Sequence, residues 1–275
     1  MSELELLDEA NFALYRGLTE RSGGRIVEHD GLTLVIGRHP SPVVVNSIFR
    51  TGVVRDPAAA LESARMTFAE IGHDMSLLTS SHADGAIAQA ASDAGWVQLF
   101  DLVGMILDEP IPAEPVPAGS VVFEADPIAD LATFRRIEVS GFSDTADEAE
   151  MIAELFADSR LLEPADSATY LAGPAAAPAA AGPRDAASRD AAAAAMVVMV
   201  PVGSGQVGVI AWVATVPDQR RQGYGGLATL AASNRGFEMG ARAVVLQASP
   251  MGLPVYRRLG YRELNAYTIW SPPPA

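Results

Sequence analysis

Apolar and polar positions alternate in short blocks along this chain, and their spacing predicts helices and strands in mixed order. Leu4 to Leu18 has helical spacing, Leu32 to Gly37 is a largely apolar strand, and Val43-Val44-Val45-Asn46 reads as another. A helix is predicted from Pro57 to Ile71, closed by Gly72, with Leu61, Met66, Phe68 and Ile71 available for burial. A strand at Met75 to Thr79, a helix from Asp84 to Ala94, the pair Gly95-Trp96 and a strand from Leu99 to Leu107 complete a first α/β unit, residues 1–108.

The run Glu109 to Ser120 spaces its prolines regularly and reads as an extended linker. After it come a strand at Val121 to Glu124, helices around Pro127 to Val139 and Glu148 to Leu162, and a strand at Ala168 to Ala172. Residues 173–194 are an Ala-rich, low-complexity insertion. Ala191 to Val216 carries no charge, but Pro201, Gly203, Ser204, Gly205 and Gln206 interrupt it, so it reads as two strands joined by a turn rather than as a membrane span. A helix from Gly226 to Met239, a strand from Ala243 to Gln247, a short helix to Leu259 and a strand to Trp270 follow. That order repeats the order of the first unit and implies a duplication.

The candidate chemistry lies where the strand Val207 to Val216 meets Gln219-Arg220-Arg221-Gln222-Gly223-Tyr224-Gly225-Gly226 and the next helix. Glycines at a helix start let a backbone close on an anion, and the free N–H groups and dipole of the first turn attract negative charge. Gly223 to Ala228 also fits the G-x-G-x-x-A dinucleotide fingerprint, but five polar residues precede the first glycine and the next strand ends in Gln247 rather than an acid.

Arg220-Arg221-Gln222-Gly223-Tyr224-Gly225 resembles the acetyl-CoA motif of the GNAT superfamily of acyltransferases, Gln/Arg-x-x-Gly-x-Gly/Ala after a strand. Tyr256-Arg257-Arg258-Leu259-Gly260-Tyr261 is similar to a second element of that family. The resemblance covers about Val121 to Trp270. It implies an α/β (α+β) protein of two GNAT-like units, each a mixed, mostly antiparallel central sheet flanked by helices. The expected domains are a degenerate unit at 1–108, the linker 109–120, and an N-acetyltransferase domain at 121–275. The degenerate unit has Arg50 to Pro57 where the cradle would be.

Composition sharpens this. The chain has 275 residues, no cysteine, and a formal net charge of −15. Disulfides, thiolate metal sites and a cysteine nucleophile are excluded, and a nucleic-acid partner is disfavoured. Lysine is absent, which with the many alanines points to GC-rich bacterial coding. Residues 1–115 carry 7 Arg against 17 acids, residues 116–200 carry 5 against 14, and residues 201–275 carry 7 against 3. A polyanionic cofactor suits the last segment, and the acidic flank before it suits a cationic amine. The acidic start of the chain shows no signal-peptide pattern, so a cytoplasmic location is expected.

The resemblance further implies an enzyme moving an acetyl group from acetyl-CoA to a primary amine on a small or amino-acid-like acceptor, with no metal and no membrane or nucleic-acid partner. The backbone of Arg221, Gln222, Gly223, Tyr224, Gly225 and Gly226 would hold the pyrophosphate. Backbone groups of Val213, Ala214 and Thr215 would polarise the thioester, and Tyr256 would be the general acid. Ser249 stands where many members have a cofactor-contacting Asn. No base is evident: His29, His39, His73 and His82 all lie in the first half, and Ala211, Trp212 and Val213 occupy the region where the family often has a Glu. Glu138 is a weak candidate that reads as an ordinary exposed acid. The alternative is a non-catalytic acyl-CoA-binding or protein-interaction module.

Overall fold

The computed structural model describes residues 1–42, 45–112, 115–142, 145–163, 165–175 and 190–273. The chain divides into two compact units: Met1–Met105 with Gln247–Pro254 and Glu263–Ala275, and Ile106–Leu246 with Val255–Arg262.

The first unit opens with α1 (Glu3–Arg21), whose start is a capping box between Ser2 and Glu5. Strands β1 (Arg25–His29) and β2 (Leu32–Ile36) pair across an Asp30-Gly31 turn, with both residues at positive φ. β1 went unread in the sequence because only the Asp-Gly signal marks it. β3 (Asn46–Arg50) is antiparallel to β2, starting where the predicted strand at 43–46 ends; Val43 and Val44 lie outside the described residues. Helix α2 (Pro57–Glu70) crosses over to β4 (Ser76–Ser80), which is parallel to β3. α3 (Gly85–Asp93) and β5 (Val97–Leu107) follow. Leu34, Ile48, Leu61, Phe68, Leu77, Ile87 and Trp96 form one buried cluster. Of the four residues expected to be buried on α2, Leu61 and Phe68 enter it and Ile71 packs against it partly buried, whereas Met66 lies off that face and is exposed.

That cluster includes Trp270, from the last strand, β11 (Arg262–Ser271). Read from sequence as the end of the second domain, most of β11 belongs to the first unit. It lies between β4 and β5 and pairs antiparallel with β4, Tyr267 opposite Ser80 and Trp270 opposite Leu77. Side-chain bonds hold it there. Trp270 Nε1 donates to Thr79 Oγ1 at 2.8 Å, Tyr267 O–H donates to Asp8 Oδ1 at 2.5 Å, and Asn265 Nδ2 donates to Ser80 Oγ at 2.7 Å. Periodicity predicts a strand but not its partner.

In the second unit the strand order is β6 (Ser120–Glu124), β7 (Ser167–Pro174), β8 (Ala193–Val202), β9 (Gly205–Thr215) and β10 (Val244–Ala248). β6 to β9 are antiparallel neighbours, and β10 runs parallel to β9. The uncharged run at 191–216 is the β8–β9 hairpin, and among the described residues no helix is long and apolar enough to cross a membrane. Helices α4 (Leu131–Phe142) and α5 (Ala146–Leu155) precede β7; α6 (Tyr224–Glu238) packs over β6 to β9, and α4 packs on β8 and β9. The linker is tied to α6, because Asn234 exchanges two hydrogen bonds with the backbone of Ile111, at 2.8 and 2.9 Å. Residues 176–189 of the Ala-rich insertion lie outside the described residues; Gly173 and Pro174 close β7, and Ala193 and Ala194 open β8.

Candidate active site

The second half of β9 is built to leave backbone groups free. β10 pairs with β9 only at Val244 with Gly208 and Val245 with Val209, so from Ile210 onward that edge of β9 has no such partner. On the other edge the register shifts between Ala194 and Met196, so Ala195 faces both Trp212 and Val213. Trp212 adopts φ 52° in this bulge, a conformation costly for a bulky side chain. Its ring is held by edge contacts to Phe156 at 4.8 Å and Phe142 at 6.0 Å.

Past β9 the chain makes a short 3-10 turn, Pro217–Gln219. The Arg220 guanidinium then donates to Thr215 O and to Gly141 O, both at 3.2 Å, binding the turn to the strand and to α4. Arg221 takes φ 65° and Gly223, the N-cap of α6, takes φ 88° with no side chain capping the helix. Leu227 N–H donates to Gly223 O, and among the described residues no group accepts the N–H of residues 221 to 226. The start of α6 is thus a row of N–H groups without a backbone acceptor, and uncapped donors at a helix N-terminus suit a phosphate. Gly225 sits tightly on the strand: a Cβ there would lie 2.8 Å from Thr215 Oγ1. The first unit differs at its crossover helix. α2 is capped by Asp56, whose side chain accepts from Ala59 N–H, and Pro57 has no N–H to offer, so no comparable row of donors is free there.

Helix α4 lies close against the free half of β9, since a Cβ built on Gly141 would fall 2.7 Å from Ala214 Cβ. One turn earlier on that face stands Glu138, which is 0 % exposed; neither carboxylate oxygen has a hydrogen-bond partner among the described residues. The expectation of an exposed acid is therefore wrong. Its neighbours Phe134 and Ile137 are buried, and Glu138 goes in with the face they define. Burial without a partner raises its pKa well above the ordinary glutamate range.

Tyr256 lies on α7 (Leu253–Arg258), buried, its ring 6.0 Å from that of Tyr261. Burial raises its phenol pKa above the ordinary value, and the negative charge of Glu138 raises it further. Tyr261 is anchored instead, its hydroxyl 2.7 Å from Ser233 Oγ. Ser249 falls in the segment Gln247–Pro254, counted with the first unit; its Oγ accepts from Gly252 N–H at 3.2 Å and closes a turn. The row at 221–226, the free edge carrying Val213, Ala214 and Thr215, and Tyr256 all belong to the second unit, and the residue before Tyr256 adjoins the row, since a Cβ on Gly226 would lie 3.5 Å from Val255 Cγ1. The structure adds Glu138, whose burial its helical spacing from Phe134 could have signalled.

Comparison with known proteins agrees with this architecture. Residues 149–261 match the acetyltransferase (GNAT) family, while no curated protein matches the chain. Among solved structures, a GCN5-related N-acetyltransferase from Kribbella flavida superposes with TM-score 0.72 at 22% identity, covering 98% of this chain and 96% of that one. One from Sphaerobacter thermophilus gives TM-score 0.56 at 14% identity, covering 87% and 76%. A tandem GNAT protein from the clavulanic acid biosynthesis pathway gives 0.54 at 17%, covering 89% and 79%. These likenesses establish the fold over nearly the whole chain. They make this a protein of the GNAT fold, similar over residues 149–261 to the acetyltransferase (GNAT) family.

Proposed function

We propose that the second unit transfers an acetyl group from acetyl-CoA to a primary amine. The observation that carries this reading is the row of six unpartnered N–H groups at 221–226, opening α6 beside an unpaired strand edge. Those donors suit a pyrophosphate, and Arg220 and Arg221 give the entrance a positive charge. The free edge of β9 offers backbone groups for an extended amide-bearing arm and for a polarised carbonyl, a role in which side-chain identity matters little. When bound, acetyl-CoA supplies the activated acyl group and a thiol leaving group. Tyr256 keeps its proton through the physiological range and is the donor to departing sulfur. A cysteine-free chain suits a reducing, cytoplasmic setting.

The test is calorimetric titration with acetyl-CoA of the wild type and of Gly225→Glu, which puts bulk and negative charge into the cradle; its fold is checked by circular dichroism. Saturable binding that the variant loses is expected. No binding by the wild type would end this reading, and binding without turnover of any amine would make the second unit an acyl-CoA-binding module.

A further inference from the structure

The second unit holds a cavity of about 550 Å³ that the acyl-transfer reading does not use. Arg136 lines it from α4, Asp190, Ala191 and Ala192 from the approach to β8, and Val216 and Asp218 from the passage of β9 into the 3-10 turn. None of Val213, Ala214, Thr215, Tyr256 or residues 221–226 lines it. Its α4 wall also stands on the opposite face of the sheet from α6. A Cβ on Gly141 of α4 would meet Ala214, whereas a Cβ on Gly225 of α6 would meet the next residue, Thr215, and successive strand side chains point to opposite faces. Small-molecule sites have volumes of roughly 300–1,000 Å³ and combine an apolar lining with a few placed polar groups. Here Ala191, Ala192 and Val216 are buried apolar residues, and the charges are of both signs. The Arg136 guanidinium is fixed by one bond, Nη2 donating to Ala191 O at 2.6 Å, and its other N–H groups have no partner among the described residues. The carboxylates of Asp190 and Asp218 have neither an ion pair nor a hydrogen bond among the described residues. Opposite charges around one space neutralise each other where they can meet. These three stay apart, which leaves one group for an anion and two for cations.

We propose that this cavity is a binding site for a free basic amino acid, separate from the cradle and filled independently of it. Such a molecule carries one carboxylate and two ammonium groups, which matches the lining in sign and in number. Arg136 receives the carboxylate, for which a guanidinium offers paired donors. Asp190 and Asp218 receive the two ammonium groups, and the methylenes between them lie against Ala191, Ala192 and Val216. A diamine leaves Arg136 unmatched, an amino acid with an apolar side chain leaves one carboxylate unmatched, and a dicarboxylate adds repulsion from both acids. Arg136, Asp190 and Asp218 are exposed, so each pair keeps part of its water and contributes modestly. Selectivity therefore comes from matching all three charges at once. The assignment does not rest on the acyl-transfer reading, since none of its residues belongs to the row, the free edge or the phenol.

The experiment titrates the full chain by calorimetry with lysine, with norleucine, which lacks the side-chain ammonium, and with cadaverine, which lacks the carboxylate. Lysine is expected to bind once per chain, and norleucine and cadaverine each about 10-fold or more weakly. Arg136→Gln should weaken lysine about 10-fold and leave cadaverine unchanged. Asp218→Asn, which removes no hydrogen bond of the described chain, should weaken lysine about 10-fold and leave norleucine closer to it. Circular dichroism checks the fold of both variants. Lysine should bind equally well with and without saturating CoA and in Gly225→Glu, and both cavity variants should keep the CoA affinity of the wild type. No binding of lysine, or binding that neither Arg136→Gln nor Asp218→Asn weakens, would overturn the assignment. So would lysine binding that CoA abolishes, because the amino acid would then occupy the cradle side. A wild type that binds lysine but not CoA would sustain the cavity site and end the acyl-transfer reading, and the reverse result would do the opposite.

Discussion

At the scale of single residues, two buried ionisable side chains dominate the site, and both have consequences that can be measured without an acceptor. The pKa of Glu138 is raised on folding, so the unfolded chain releases this proton at lower pH than the native one does. Its neutral form favours the fold below the ordinary glutamate pKa, and that contribution is lost as pH rises through the native pKa. Glu138→Gln is therefore expected to gain stability relative to wild type as pH increases, read as urea midpoints at about pH 5 and pH 9. An advantage that did not grow with pH would mean that Glu138 is not buried and unpaired as described. Tyr256→Phe removes the hydroxyl proposed as the proton donor but keeps the ring packed on Tyr261. It should lower kcat by about 100-fold with little change in acetyl-CoA affinity, as steady-state kinetics beside calorimetry would show.

At the scale of elements, the function of α6 depends on how it begins. A side-chain cap would occupy the donors that Gly223 leaves free, as Asp56 does for α2. Gly223 also sits at φ 88°, where a Cβ costs about 1 kcal/mol or more. Gly223→Ala should thus lower the thermal midpoint and weaken acetyl-CoA binding together, and unchanged values of both would show that the left-handed start is dispensable. The placement of this turn was legible in sequence, because glycines and arginines between an apolar strand and a helical repeat allow few other structures. The free edge of β9 was legible only through the family resemblance. The bulge at Trp212 breaks no alternation that a reader could see, and the aromatic packing of its ring on Phe142 and Phe156 joins residues distant in sequence.

At the scale of the molecule, the last strand serves the first unit. Trp270 is in the core cluster with Phe68 and Leu77, so Trp270→Ala should cost about 3–5 kcal/mol. Denaturant unfolding followed by fluorescence and circular dichroism would check this. Removing residues 263–275 would take away the strand that lies between β4 and β5, and a cooperative first transition should then vanish.

What the sequence determined by itself is local. The apolar periods specified most elements to within a few residues, and the glycine-rich turn with its arginines specified a helix start without a side-chain cap, because backbone geometry and helix-end donors follow from neighbouring residues alone. The tertiary structure decided the matters that join distant positions. It set the partner of β11, since any apolar strand fits many sheet edges until its Trp and Tyr find particular acceptors. It also decided the fate of Glu138: a carboxyl on a helix reads as solvated until the packing of that helix on β9 removes water from it and supplies no partner in exchange.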